Sequence, residues 1–158
     1  MNAQDVFNIS GQATPGRLHI ARALVKSGLV KSIFEVFNKY IGDKGPAYSL
    51  GFRFTPEEAI KFIRDAGGLP VLAHPYILRN DKLIPEFARL GLMGLEVYYP
   101  EHSQGETNFY LNLAKEYNLL ATGGSDCHGK AKPEVRIGSL KIPYELVEKL
   151  KAAKEGLK

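Results

Sequence analysis

Amphipathic stretches ended by glycine alternate with short, continuously apolar runs from Thr55 to Thr122, and this alternation limits the fold more than any other feature of the chain. Thr55-Pro56-Glu57-Glu58 combines a capping threonine, a proline at the first helical position and a glutamate at the third, so a helix starts there. Its apolar positions Ala59, Ile60, Ile63 and Ala66 recur at helical spacing, Gly67-Gly68 stops it, and 69–73 reads as a buried strand. The pattern then predicts a helix over about 82–90 closed by Gly91, a strand at 93–98, a helix over about 105–117 and a strand at 119–122. A short extended piece at 137–142 and an amphipathic helix from Tyr144 to about Lys154 follow. Helices inserted between successive strands imply a parallel sheet, so the expected class is α/β.

Ahead of this region, helices are expected at 17–27, closing at Gly28, and at 32–41, closing at Gly42, the second with Ser32 and Glu35 as a capping box. A looser stretch from Gly42 through Phe52 joins them to Thr55. A length of 158 residues supports one domain with a real core and is too short for two ordinary ones. The net charge of +4 is mild, and the cations are scattered except for Lys130, Lys132, Arg136 and Lys141, which favours small anionic substrates over a nucleic-acid groove. A single cysteine excludes an internal disulfide and fits a reducing compartment, so the cytoplasm is the expected location. No apolar run approaches the roughly 20 residues of a membrane helix, and Met1-Asn2-Ala3-Gln4-Asp5 lacks signal-peptide features.

Ligands of parallel α/β folds gather beyond the carboxyl ends of the strands. His74, Glu96, Asp126 and His128 fall at three such ends. Asp126 and His128 are two apart, so an extended segment would point them to one side and Cys127 to the other; a carboxylate with an imidazole suits a divalent metal. Pro75 is expected to keep His74 extended and so fix the direction of its ring, while Gly123 and Gly124 let the chain turn out of the last strand. Each residue also has a plainer reading. His74 alone would be a packed or surface histidine, Asp126 a turn residue, and Arg17 and His19 the exposed face of a helix whose other side carries Leu18, Ala21, Leu24 and Val25. Glu96 would either hold a ligand histidine in orientation or pair with a lysine. His102 reads as a helix-start or surface residue, Cys127 as a small buried filler, and Tyr98-Tyr99 as core.

The segments Gly16-Arg17-Leu18-His19-Ile20-Ala21-Arg22, Gly67-Gly68-Leu69-Pro70-Val71-Leu72-Ala73-His74-Pro75, Gly94-Leu95-Glu96-Val97 and Gly124-Ser125-Asp126-Cys127-His128-Gly129 resemble, in order and spacing, the carboxyl-terminal part of PHP-domain proteins (polymerase and histidinol phosphatase superfamily), in the TrpH-like branch of metal-dependent phosphoesterases. The resemblance implies a partial distorted βα barrel with parallel strands over 53–158 and a helical insertion segment over 1–52. It implies that His74, Asp126 and His128 are metal ligands, that Arg17 and His19 face the substrate phosphate, and that the cofactors are divalent ions, with manganese, iron and zinc all compatible. The implied substrates are phosphate esters, of nucleotides or short oligonucleotides.

The family's early His-x-His pair and its further histidines and bridging glutamate have no counterpart here: the chain has four histidines and no two are separated by one residue. Three ligands do not fill a catalytic cluster of two or three ions, so the chain is expected to be a poor enzyme alone. The expectation is a truncated phosphoesterase, or one whose amino-terminal half comes from another chain. The alternative is a non-catalytic half-barrel that binds a partner or self-associates through an exposed sheet edge. A nucleic-acid-binding fragment using the late lysines is a third reading.

Overall fold

A computed structural model describes residues 1–49, 51 and 53–157. Phe52 and Lys158, where the two expected segments end, lie outside the described residues. The chain divides into two units, Met1–Arg53 and Phe54–Lys158.

The first unit is helical. It contains α1 (Ala3–Ser10), α2 (Arg17–Lys26) and α3 (Ile33–Val36), the last running into a π turn at Phe37–Ile41. α1 was not expected from the sequence. Its start is nonetheless a reciprocal cap: Asn2 Oδ1 accepts from the Asp5 amide at 3.1 Å and Asp5 Oδ2 accepts from the Asn2 amide at 2.7 Å. The capping box expected at Ser32 is half formed. Ser32 Oγ accepts from the Glu35 amide, but the Glu35 carboxylate takes the Lys31 amide, one residue too early, and the Lys39 ammonium. Ala21, Val30, Val36 and Ile41 form the buried centre, with Ile20, Leu24, Val25, Ile33 and Phe37 packed around them.

The second unit carries the alternation. In order it has α4 (Pro56–Asp65), β1 (Val71–Leu72), α5 (Ile84–Arg89), β2 (Gly94–Tyr98), α6 (Gln104–Glu116), β3 (Leu120–Gly123) and α7 (Glu145–Glu155). The strands pair in parallel in the order β1, β2, β3. The cap read from sequence at Thr55 holds, with Glu58 completing the box that opens α4; Ser103 with Glu106 opens α6 in the same way, a cap not anticipated from the sequence. β2 is central, and its Leu95 and Val97 are fully buried among Ile60, Ile84, Phe87, Tyr110 and Ala114. That burial of a β2 face against three helices is the main apolar gain of the unit.

One expected strand and one expected extended piece differ. β1 has two residues rather than the five of 69–73, because Pro70 has no amide to donate and the chain turns away at His74. The piece at 137–142 forms no strand; Gly138 takes φ +81° and breaks the run, leaving Ile137 87% exposed. Because the ladder is parallel, the carboxyl ends of the three strands, and the residues that follow them, come together at one end of the sheet.

Candidate functional site

His74 follows β1, Glu96 lies on β2, Tyr99 follows β2, and Asp126 and His128 follow β3. His74 is not extended. It adopts the left-handed conformation (φ 32°, ψ 62°) and its amide donates to Glu96 Oε2 at 2.7 Å. A charge-assisted hydrogen bond to a carboxylate on the neighbouring strand offsets the cost of that backbone, which is of the order of 1–3 kcal/mol. Glu96 therefore orients His74 through its main chain and not through its ring. The Glu96 carboxylate also overhangs Gly124, where a β-carbon would stand 3.3 Å from Oε1.

Asp126 and His128 meet, but by a different route from strand alternation. Asp126 is itself left-handed (φ 52°), a conformation aspartate tolerates better than most residues, and this turn brings its Oδ1 to 3.2 Å from His128 Nε2. Cys127 is only half-buried, and its Sγ accepts from the Gly129 amide at 3.4 Å, so it is a turn residue and not a core filler.

The other oxygen of Asp126 is equally engaged. Oδ2 accepts from the Tyr99 hydroxyl at 3.2 Å and lies 3.5 Å from the Lys132 ammonium. Lys132 is also 3.6 Å from Glu101 Oε1, and the other oxygen of Glu101 accepts from the Tyr76 hydroxyl. Burial alone would raise the Asp126 pKa, but the Tyr99 hydrogen bond and then the charges of His128 and Lys132 outweigh it and hold the carboxyl below its ordinary range. Asp126 is thus a carboxylate at neutral pH.

His102 is neither a surface residue nor a simple helix start. Its Nδ1 donates to the Val97 carbonyl at 2.8 Å, its Nε2 is buried with no partner among the described residues, and its ring packs against Tyr76, Tyr99 and Tyr110. Tyr99, only 3% exposed, also stands edge-on to the His74 ring at 5.8 Å. Tyr99, Glu101 and Lys132 are the site residues that reading the sequence did not select. Lys132 entered the sequence reading only as one of four late cations and Tyr99 only as core; the signal that marks them for the site is position, since each follows a strand end or a candidate ligand.

Burial first, and then the charge of Asp126, push the Tyr99 hydroxyl well above the usual phenol range; burial and Asp81 do the same to Tyr110. A phenol whose pKa is raised on folding contributes stability that is complete below its unfolded pKa of about 10 and is lost as pH rises above it. Titration of the tyrosinate absorbance should therefore show late-ionising groups whose release coincides with alkaline unfolding, and Tyr99→Phe should remove one of them. Ionisation of all tyrosines together near pH 10, with the fold intact, would contradict the site's packing.

Arg17 and His19 belong to the first unit. Arg17 pairs with Asp43 at 2.7 Å and lies over the rings of Phe37 and Tyr48. His19 Nδ1 accepts from the Gly16 amide at 3.0 Å, which leaves the proton of a neutral ring on Nε2 as a donor. The two side chains stand two apart on α2, a spacing at which helical side chains do not face each other, and the Arg17 guanidinium is already engaged by Asp43.

A metal fits these residues only in part. Asp126 and His128 converge, yet among the described residues no three His, Cys, Asp or Glu side chains come together so as to hold one ion. A lysine ammonium, not an open face, stands beside the Asp126 carboxylate. Catalytic ions need about three protein ligands and an open position, so the donors assembled here do not by themselves make such a centre.

No family model matches the chain. It is 37% identical over 117 residues to the 3',5'-nucleoside bisphosphate phosphatase of Chromobacterium violaceum, a match that covers 71% of this chain and 41% of that protein. It is 36% identical over 123 residues to a 5'-3' exoribonuclease of Escherichia coli, covering 75% of this chain and 41% of the relative. Among solved structures, a Bifidobacterium adolescentis protein described as a metal-dependent phosphoesterase superposes with a TM-score of 0.83 at 30% identity, over 96% of this chain and 56% of that one. An amidohydrolase from Chromobacterium violaceum, solved with sulfate and no metal, gives a TM-score of 0.69 at 27% identity over 94% of this chain and 62% of that one. In sequence and in its parallel-stranded fold the chain is similar to PHP-type phosphoesterases, and it spans less than half the length of the two relatives described.

Proposed function

We propose that this chain is part of a metal-dependent phosphoesterase acting on phosphate esters of nucleotides or short oligonucleotides, and that it supplies His74, Asp126 and His128 to a divalent-metal site. In this reading Arg17 and His19 hold the substrate phosphate, Glu96 fixes the turn that presents His74, and the three strands are part of a distorted βα barrel with residues 1–52 as its helical insertion. The observation that carries it is the Asp126–His128 pair, 3.2 Å apart at the carboxyl end of β3. The relatives named for nucleoside bisphosphates and RNA support the substrate class. Manganese, iron and zinc all suit mixed imidazole and carboxylate donors. Further donors from outside the described residues would be needed to close the site, so no hydrolytic step is assigned to this chain's residues alone.

A non-catalytic module is the second reading, and one observation favours it. Alongside β1, an edge strand, lies an apolar groove of about 260 Å³ lined by Pro56, Ile63, Val71, Leu78, Phe87 and Leu92. A partner or a second copy of the chain would bury it.

Phosphate release from a nucleoside 3',5'-bisphosphate, measured with and without added Mn²⁺ for the wild type and Asp126→Asn, separates the two readings. The phosphoesterase reading expects slow release that depends on the metal and falls at least about 100-fold in the variant. Metal-independent release, or release unchanged in Asp126→Asn, would contradict it. No release from either chain is also what a site lacking its further donors gives, so the non-catalytic module is favoured only if the chain in addition binds no Mn²⁺ at Asp126.

A further inference from the structure

We propose that the open side of β3 is a docking edge for an extended peptide segment of a partner, apolar at its centre and acidic at its flanks, which adds to the sheet as a fourth strand. Such docking requires neither a bound ion nor hydrolysis.

β3 ends the sheet, so one of its sides has no strand beside it. The Leu120 amide donates to the Met93 carbonyl and the Gly124 amide to the Tyr98 carbonyl, while Leu120, Ala121 and Thr122 stand opposite Gly94, Leu95 and Glu96. Successive peptide groups of a strand turn to opposite sides of it. Leu120 and Thr122 therefore pair with β2, and Ala121 between them turns its amide and carbonyl to the open side, where an added strand can pair with them.

Alongside this edge runs a groove of about 480 Å³ between α6, β3 and α7. Leu111, Leu119, Leu120 and Leu146 line it, with Leu119 and Leu146 buried. Lys115 of α6 and Lys149 of α7 line it too, and both are exposed. Among the described residues neither ammonium has a carboxylate within salt-bridge reach, whereas Lys39, Lys61, Lys132 and Lys151 each have one.

A backbone donor and acceptor, an apolar groove and two unpaired cations thus coincide along one edge. An extended peptide meets all three: its main chain pairs with Ala121, its central side chains enter the groove, and its acidic flanks reach the lysines. The charges disfavour a second copy of the chain, since isologous pairing along this edge would bring the lysines of both copies together on a protein of net charge +4.

The test is a fluorescence-anisotropy titration of a labelled, end-blocked peptide, Glu-Glu-Val-Ile-Val-Glu-Glu, with the full chain and with Lys115→Glu and Lys149→Glu. Saturable binding is expected, weakened about three- to tenfold by each substitution, because each turns a partly screened attraction into a repulsion. The same peptide N-methylated on its three central amides keeps its charges and apolar groups but cannot pair as a strand, and should bind at least about tenfold more weakly. Hydrogen exchange of the Ala121 amide should slow when the unmethylated peptide binds, with the Leu120 and Thr122 amides unchanged. Binding that is the same in both lysine variants places the peptide elsewhere, the β1 edge included, and overturns the proposal. Equal binding of the N-methylated peptide shows that no strand is added and overturns it as well, as does an absence of binding. Decanoate binding that both lysine variants weaken, with no binding of the peptide, would make the groove a site for an anionic amphiphile instead.

Discussion

Gly123→Ala is expected to lower the stability of the second unit by about 2–3 kcal/mol, the upper part of the range for overpacking a close-packed interior. A β-carbon at Gly123 would stand 2.5 Å from the Tyr98 β-carbon and 2.6 Å from the Tyr98 carbonyl oxygen, and both are part of or adjacent to the backbone and unable to swing away. β2 and β3 would have to separate at the point where their register shifts, between Glu96 and Tyr98. The amide of Gly124, which donates to the Tyr98 carbonyl at 3.0 Å, would move with them. The effect reaches the site as well, because Tyr98 precedes the tyrosine that holds Asp126 and Gly124 leads to Asp126 itself. Urea denaturation should show a lower midpoint with an unchanged slope, and the late tyrosine ionisation assigned to Tyr99 should move toward the ordinary range. A midpoint equal to that of the wild type would mean that the strands do not approach as closely as described.

Leu95→Ala should be the most costly single truncation in the sheet, at about 3–5 kcal/mol. Leu95 is fully buried on the central strand β2, between strands on both sides, and it shares its core cluster with Ile84 and Phe87 of α5 and Tyr110 of α6. Such a setting cannot collapse around a vacated volume without moving whole helices, so most of the cavity would persist. Typical domains are stable by about 5–15 kcal/mol, so the variant is expected near the edge of folding. Equilibrium unfolding in urea measures it; a loss below about 1 kcal/mol would show that Leu95 does not sit in the unit's main core.

What could be read in the sequence was local. The box at Thr55 and the glycine stops at Gly28 and Gly91 announce helices through neighbours three or four residues away, and those helices are present. The cap of α1 obeys the same chemistry, with Asn2 and Asp5 at the standard spacing, and passed unnoticed because the helix behind it is short. The extended piece expected at 137–142 joins no sheet for the opposite reason: its apolar residues satisfy a pattern, but Gly138 turns the chain and no described strand pairs with them. The site was legible as candidates, not as geometry. Pro75 argued for an extended His74 because local sterics favour it, whereas the carboxylate of Glu96, from the next strand, captures the amide and the chain turns left-handed. Asp126 and His128 meet as expected, but through a left-handed turn rather than strand alternation. The convergence of Tyr76, Tyr99, Glu101 and Lys132 on those residues depends on loops that follow different strands. No spacing along the chain encodes such a meeting.

In the proposed function, residues that follow the three parallel strands contribute donors to one ion-binding site, which further donors close. Paramagnetic broadening of the backbone amide resonances by substoichiometric Mn²⁺ tests it most directly, since the effect falls steeply with distance from the ion. The account predicts selective loss of signal at His74 and at Ser125 through Gly129, with Tyr99 and Lys132 affected next, and no selective loss in Asp126→Asn. Broadening centred on other carboxylates, such as Glu57 or Asp65 of α4, or broadening at Asp126 and His128 that survives the Asp126→Asn substitution, would contradict it.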